Sequence, residues 1–325
     1  MLLMSLQNQL LNLWSKICTV FGRSKDRLEI PQGYTLVKQD VFDNIDYNYW
    51  RWNSPNGQIK TNDLKVYWDG VHSMKAENNT LYMSADYNPK VFRVANLPEW
   101  QRKELNYREI PQVKPTEHKP VIDTNPIEAS YVPGITRIIT HNDLPNLEYT
   151  TQYDAINIPY SMGFLHSSVA YKYGIFVIDA KLPKGVNLWP SFWTCGVESW
   201  PPEIDIFEGY NTDDTVCPNT HYGTSGDGHK QTHASNIKIP SMYDEFHEYA
   251  VHWTKDFIKM YYDGHLVYSV TDKKILNQFS EGHQSIILNC NIESISPIQE
   301  NPTKTPFLVK NLRIYQDKPI SIVAL

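Results

Sequence analysis

From about Gly33 onward, apolar and aromatic positions come in short runs that alternate with polar ones. Turn-forming clusters separate the runs, among them Ser54-Pro55-Asn56-Gly57, Glu77-Asn78-Asn79, Asp263-Gly264 and Glu281-Gly282. A period of two between such turns marks half-buried strands, since alternate residues of a strand share a face. Strong helical periodicity is confined to the first 20 or so residues, so alternating βα units are not expected. The pattern predicts an all-β fold, a β-sandwich or jelly roll.

Two stretches depart from this pattern. Leu3, Leu6, Leu10, Leu13, Trp14, Ile17 and Phe21 fall on one face of a helix, while Gln7, Asn8, Gln9 and Asn12 interrupt the apolar core that a signal peptide needs. The expectation is an amphipathic helix and linker over residues 1–30, with one domain over 31–325. Residues 1–22 then dock on their own domain, on a protein partner or second copy, or on a membrane surface; a degenerate signal peptide is the other reading. The second stretch, residues 94 to about 160, carries Pro98, Pro111, Pro115, Pro120, Pro126, Pro133, Pro145 and Pro159. Prolines at these intervals oppose long central strands. They predict an irregular insertion that walls a cleft, with room for a short strand in Ile135–Thr140.

Composition narrows the function classes. The 325 residues suffice for one large all-β domain or two smaller domains. The net charge of -6 and the lack of a basic run exclude nucleic acid as an expected partner. Cys18, Cys195, Cys217 and Cys290 have no CxxC spacing, which argues against a zinc site and leaves a single bridge open. Aromatic residues reach 13%, with 21 Tyr and 9 Trp. Strands account for some of them, and a carbohydrate cleft, where flat rings stack on sugar faces, accounts for others.

The candidate chemistry lies in Trp200-Pro-Pro-Glu203-Ile-Asp205-Ile-Phe-Glu208-Gly209. Strand alternation sends Glu203 and Asp205 to one face and Ile204 and Ile206 to the core. Phe207 would take the next cleft position. One extra residue at Ile206-Phe207, a β-bulge, returns Glu208 to the acidic face. Three like charges on one face repel, so at least one group keeps its proton near neutral pH. Glycoside hydrolysis needs that division of states, one ionised carboxylate and one protonated acid. Glu203 and Asp205 lie about 6.6 Å apart along the backbone, and the two Glu side chains reach the ~5–5.5 Å carboxyl separation of retaining enzymes. The plainer reading is a solvated acidic strand. Its surroundings favour the site: Trp189-Pro-Ser-Phe-Trp193 and Trp200 precede the acids, and His221-Tyr222 follows them. Trp189, Trp193, Trp200, His221 and Tyr222 are therefore the expected substrate-binding residues, with Phe192 assigned to the core.

These residues resemble glycoside hydrolase family 16, the laminarinase, agarase and carrageenase group, in its bulged Glu-x-Asp-x-x-Glu form. Further segments carry the resemblance: Val41-Phe-Asp43 with Asp46 to Trp50, Tyr173-Gly174 through Lys181-Leu-Pro183, Phe246-His247-Glu-Tyr249 to Trp253, Tyr262-Asp263-Gly264 and Leu312-Arg-Ile-Tyr315. The resemblance implies a jelly roll of two packed antiparallel sheets with a concave cleft. It implies Glu203 as nucleophile, Glu208 as general acid/base and Asp205 as their assistant, acting on a β-1,3-glucan or β-galactan without a cofactor. Three departures stand out. Ile175, Val177 and Asp179 occupy a strand where the family often has Arg and Glu, which suggests altered sugar contacts. Pro202 replaces a Gly. Lys310 stands where many members have an acid for a structural calcium, so that ion is not expected. A catalytically silent sugar-binding sandwich, a transglycosylase and an exo-acting variant are the competing readings. Action outside the cell is expected, or within a larger assembly such as a phage particle.

Overall fold

The computed structural model describes residues 27–52, 59, 66–93, 138–139, 155–210, 215–223, 228–234, 236–293 and 302–325. The expected helix over residues 1–22, the turn Ser54–Gly57 and most of the proline-rich stretch lie outside the described residues.

Two sheets pack face to face, as the alternation implies. The cleft sheet runs in the order Lys230–His233, Thr215–Tyr222, Glu203–Tyr210, Leu188–Gly196, Gln284–Ile292, Ala155–Tyr171 and Trp50–Arg51. The back sheet runs His265–Val270, Ile258–Tyr262, His247–Trp253, Gly174–Lys181, Phe307–Gln316, Leu81–Met83 and Met74–Ala76, with Thr35–Asp40 also paired to Phe307–Gln316. Pairing is antiparallel except where Val66–Trp68 and Ile138–Ile139 lie parallel to Ala155–Tyr171. The second of these is the short strand expected in Ile135–Thr140.

The core lies between the sheets. Phe192, Ile204, Phe207 and Leu288 of the cleft sheet meet Phe176, Tyr249, Val251 and Phe307 of the back sheet in one buried cluster. Phe207 packs 4.5 Å from Tyr249 and 6.0 Å from Phe307, ring centre to ring centre. The Asp263-Gly264 turn joins its two strands with φ of 48° and 74°, the left-handed pair that a two-residue hairpin requires.

Three expectations change, and one point that the sequence left open is settled. Residues 155–160 are not part of an irregular insertion, because they begin the 17-residue strand Ala155–Tyr171. Pro159 is tolerated there because the neighbouring strand Ala85–Arg93 shifts register between Tyr87 and Lys90, opposite the missing donor. The strand Gly174–Lys181 belongs to the back sheet, so it does not bear on sugar contacts. Its outward Ile175 and Val177 join Ala250 and Tyr261 in a second apolar cluster, against which Leu28 and Tyr34 pack. Asp179 faces the same way and meets Asn311 and Arg313. A short helix, Lys273–Leu276, also appears where no helical period was visible; Asp272 caps it and Leu276 is buried beneath it. Finally, Cys195, Cys217 and Cys290 are free thiols.

Candidate active site

The bulge falls where the alternation required it. On one side Trp193 pairs with Asp205 and Phe192 with Phe207, leaving Ile206 without a counterpart. On the other side the register shifts between Asp205 and Glu208. Ile204, Ile206 and Phe207 all enter the core, while Glu203, Asp205 and Glu208 line one cavity of about 800 Å³ on the concave face. A bulge breaks the ladder and leaves backbone groups without sheet partners. Here the buried Tyr262 hydroxyl, from the back sheet, donates to the Ile206 carbonyl at 2.9 Å.

The tryptophans do more than offer flat faces. Trp200 Nε1 donates to Glu203 Oε2 at 2.9 Å and Trp189 Nε1 to Glu208 Oε1 at 3.1 Å, one indole for each glutamate. Trp193 Nε1 donates to Asn289 Oδ1 at 2.7 Å. Trp200 is 54% exposed at the rim, open to a ligand. His221 Nε2 lies 3.2 Å from Asp205 Oδ2 and 3.5 Å from Glu203 Oε1. The structure thus brings Trp189, Trp193, Trp200 and His221 into the cleft with the acids. It does not bring Tyr222, which packs against the core. The cause is the same alternation: Asn219 and His221 face the cleft, so Tyr222 turns away from it.

Burial sets the protonation of the three acids. Desolvation, then the charge of Asp205, pushes Glu203 up to about 8, against the pull of His221 and the Trp200 hydrogen bond. Desolvation and the charge of Glu203 push Glu208 up to about 7, opposed by His221, Trp189 and Asn219. Asp205 is 2% exposed, and its carboxyl is held well above the usual range by burial and by Glu208. Near neutral pH the cluster therefore holds on to protons, as a general acid must, with the higher proton affinity on Glu203 and the lower on Glu208. Glu203, Asp205 and His221 also offer donor atoms within 4.8 Å of one another, close enough to surround a cation. We assign no metal to them.

Several polar cleft residues escaped the sequence reading: Ser191, Asn219, Gln231, His233, Asn289 and Asn291. A signal for some of them was present. In Leu288-Asn-Cys-Asn-Ile292 the apolar residues are core and the two asparagines alternate with them onto the cleft face. Asn219-Thr-His221 and Gln231-Thr-His233 repeat that spacing on neighbouring strands.

Residues 130–292, half of the chain, match the family described as Glycosyl hydrolases family 16. The chain is 32% identical over 156 residues to Endo-1,3-1,4-beta-glycanase EglC of Rhizobium meliloti (strain 1021), covering 46% of this chain and 31% of that protein. It is also 32% identical over 114 residues to Beta-1,3-glucan-binding protein of Penaeus monodon, covering 30% and 31%. The chain thus spans about a third of the length of these curated relatives. Among solved structures it resembles SCLam, a non-specific endo-beta-1,3(4)-glucanase, with a TM-score of 0.60 and 20% identity over 90% of this chain and 94% of that one.

Proposed function

The chain belongs to glycosyl hydrolases family 16, and from that membership we propose that it is a retaining, endo-acting hydrolase of a β-1,3- or mixed-linkage β-glucan. The observation that carries the reading is the bulged strand, which sets two glutamates and one aspartate on the floor of a tryptophan-walled cleft, all three with raised proton affinity. Glu203 attacks the anomeric carbon as the glycosidic C–O bond breaks. Glu208 gives its proton to the departing oxygen. Glu208 then takes a proton from water, whose oxygen displaces Glu203 and restores the starting configuration. Trp200 and Trp189 stabilise the ionised forms by donating to them, and Asp205 shares its proton with Glu203. The exposed face of Trp200 supplies a platform for a sugar ring. No metal enters this sequence. Such a substrate is met outside the cell, which is where the protein would act.

A second reading, a sugar-binding sandwich without catalysis, draws support from the name of the Penaeus monodon relative; possession of both glutamates weighs against it. The two separate in one experiment. Release of reducing ends is measured from laminarin, mixed-linkage glucan, agarose, porphyran and carrageenan with wild type, Glu203→Gln and Glu208→Gln. Hydrolysis requires release from a glucan and a loss of at least about 10³-fold in both variants. Binding to laminarin without release would favour the sandwich reading, and near-normal turnover in both variants would remove the catalytic assignment.

A further inference from the structure

His229 is exposed on the rim, on the segment leading into the strand Lys230–His233, and it touches both groups that flank Glu203 on that side. Its Nε2 lies 2.7 Å from His221 Nδ1, with the two rings 19° from parallel. Its ring centre is 4.8 Å from that of Trp200, the residue whose indole donates to Glu203.

The proton positions in this chain follow from its neighbours. Asn219 Oδ1 accepts the backbone N–H of Thr220 at 2.8 Å. That fixes the Asn219 amide and turns its Nδ2 toward His221 Nε2, 3.0 Å away. An amide Nδ2 only donates, so His221 Nε2 accepts. A neutral imidazole has one N–H, which must then sit on Nδ1 and point at His229. His229 Nε2 accepts it, and the N–H of His229 itself sits on Nδ1. Asp205 Oδ2, buried with no hydrogen-bond partner, lies 3.2 Å from the same Nε2, whose single lone pair the Asn219 amide already occupies.

We propose that His229 is a positioning residue which, by accepting the Nδ1–H of His221, holds that imidazole in the tautomer whose Nε2 faces Asp205 and Glu203. The proposal rests on the hydrolase reading for its purpose but not for its geometry. In this tautomer His221 Nε2 accepts from the Asn219 amide, which also donates to Glu208 and lowers its proton affinity. Without His229, the Nδ1–H loses its protein acceptor, and the alternative tautomer would set an N–H of His221 against the Asn219 amide.

The test compares wild type, His229→Ala and His229→Gln in the full chain. His229 is exposed, so both variants should keep the wild-type Tm. Nitrogen–proton spectra of histidine-labelled protein read the tautomer of His221, and kcat and KM are measured on laminarin. The expected result is a single Nδ1–H tautomer in wild type, a mixture in His229→Ala, and recovery in His229→Gln, whose Oε1 can accept the same hydrogen. With it, kcat falls on the order of tenfold in the alanine variant while KM stays within about twofold, and glutamine restores most of the loss. An Nε2–H tautomer in wild type, an unchanged tautomer in His229→Ala, or a rise in KM alone would overturn the proposal. If wild type cleaves no glycan, the hydrolase reading falls, and the spectra still decide the role of His229.

Discussion

Asp205 is the most deeply buried of the three acids, and its carboxyl is driven upward by desolvation and by the charge of Glu208. It also helps to raise Glu203, both through its charge and as a hydrogen-bond partner. Asp205→Asn removes an ionisable neighbour and supplies an N–H donor in its place. Glu203 should then ionise more readily, and the acid limb of the kcat/KM profile should move to lower pH, with a smaller loss of turnover than in either glutamine variant. A limb that moves upward would show that Asp205 does not share charge with Glu203. At this scale the acids and tryptophans were legible because their types are unusual at that spacing. Asn219 and Asn289 were not, because asparagine is common and only the fold brings their strands beside the acids. Tyr222 was misplaced because adjacency to His221 in sequence was taken as adjacency in the cleft, whereas a strand sends neighbours to opposite faces.

The strand Glu203–Tyr210 owes its geometry to one extra residue. Its position was legible, since three acids can share a face with Ile204, Ile206 and Phe207 in the core only if the pleat is broken there. What could not be read was how the break is satisfied. The hydrogen bond from Tyr262 to the Ile206 carbonyl joins residues 56 apart, across the two sheets. Tyr262→Phe leaves that carbonyl buried without its donor, at a cost of about 1–3 kcal/mol. Chemical denaturation should show that loss of stability, and kcat should fall more than KM rises because Glu208 is less firmly set. Unaltered stability would mean that water or another group replaces the hydroxyl. The error over Pro159 belongs to this scale too. Proline opposes a continuous ladder, but a register shift in the neighbouring strand accommodates it, and register is invisible in one strand's sequence.

For the molecule as a whole, the acid cluster is held at the expense of stability. Glu203 rises from its ordinary 4.5 to about 8 in the folded protein. A group whose folded pKa is raised stabilises the fold below its unfolded pKa, and that contribution is lost as pH climbs through the folded value. Glu203→Gln cannot ionise and escapes the loss. Its Tm should match wild type near pH 4.5 and exceed it by several degrees at pH 9; equal Tm at both would show that the glutamate is well solvated. The sandwich itself was legible from the turns and the alternation, and the two-sheet core confirms it. The residue-level roles in catalysis rest on the assignment of Glu203 as nucleophile, and trapping the glycosyl-enzyme tests that most directly. Incubation with an activated 2-deoxy-2-fluoro-β-laminaribioside, followed by peptide mass spectrometry, should find the sugar attached to Glu203. A label on Glu208 instead, or glucan cleavage with inverted configuration and no trapped species, would contradict the account.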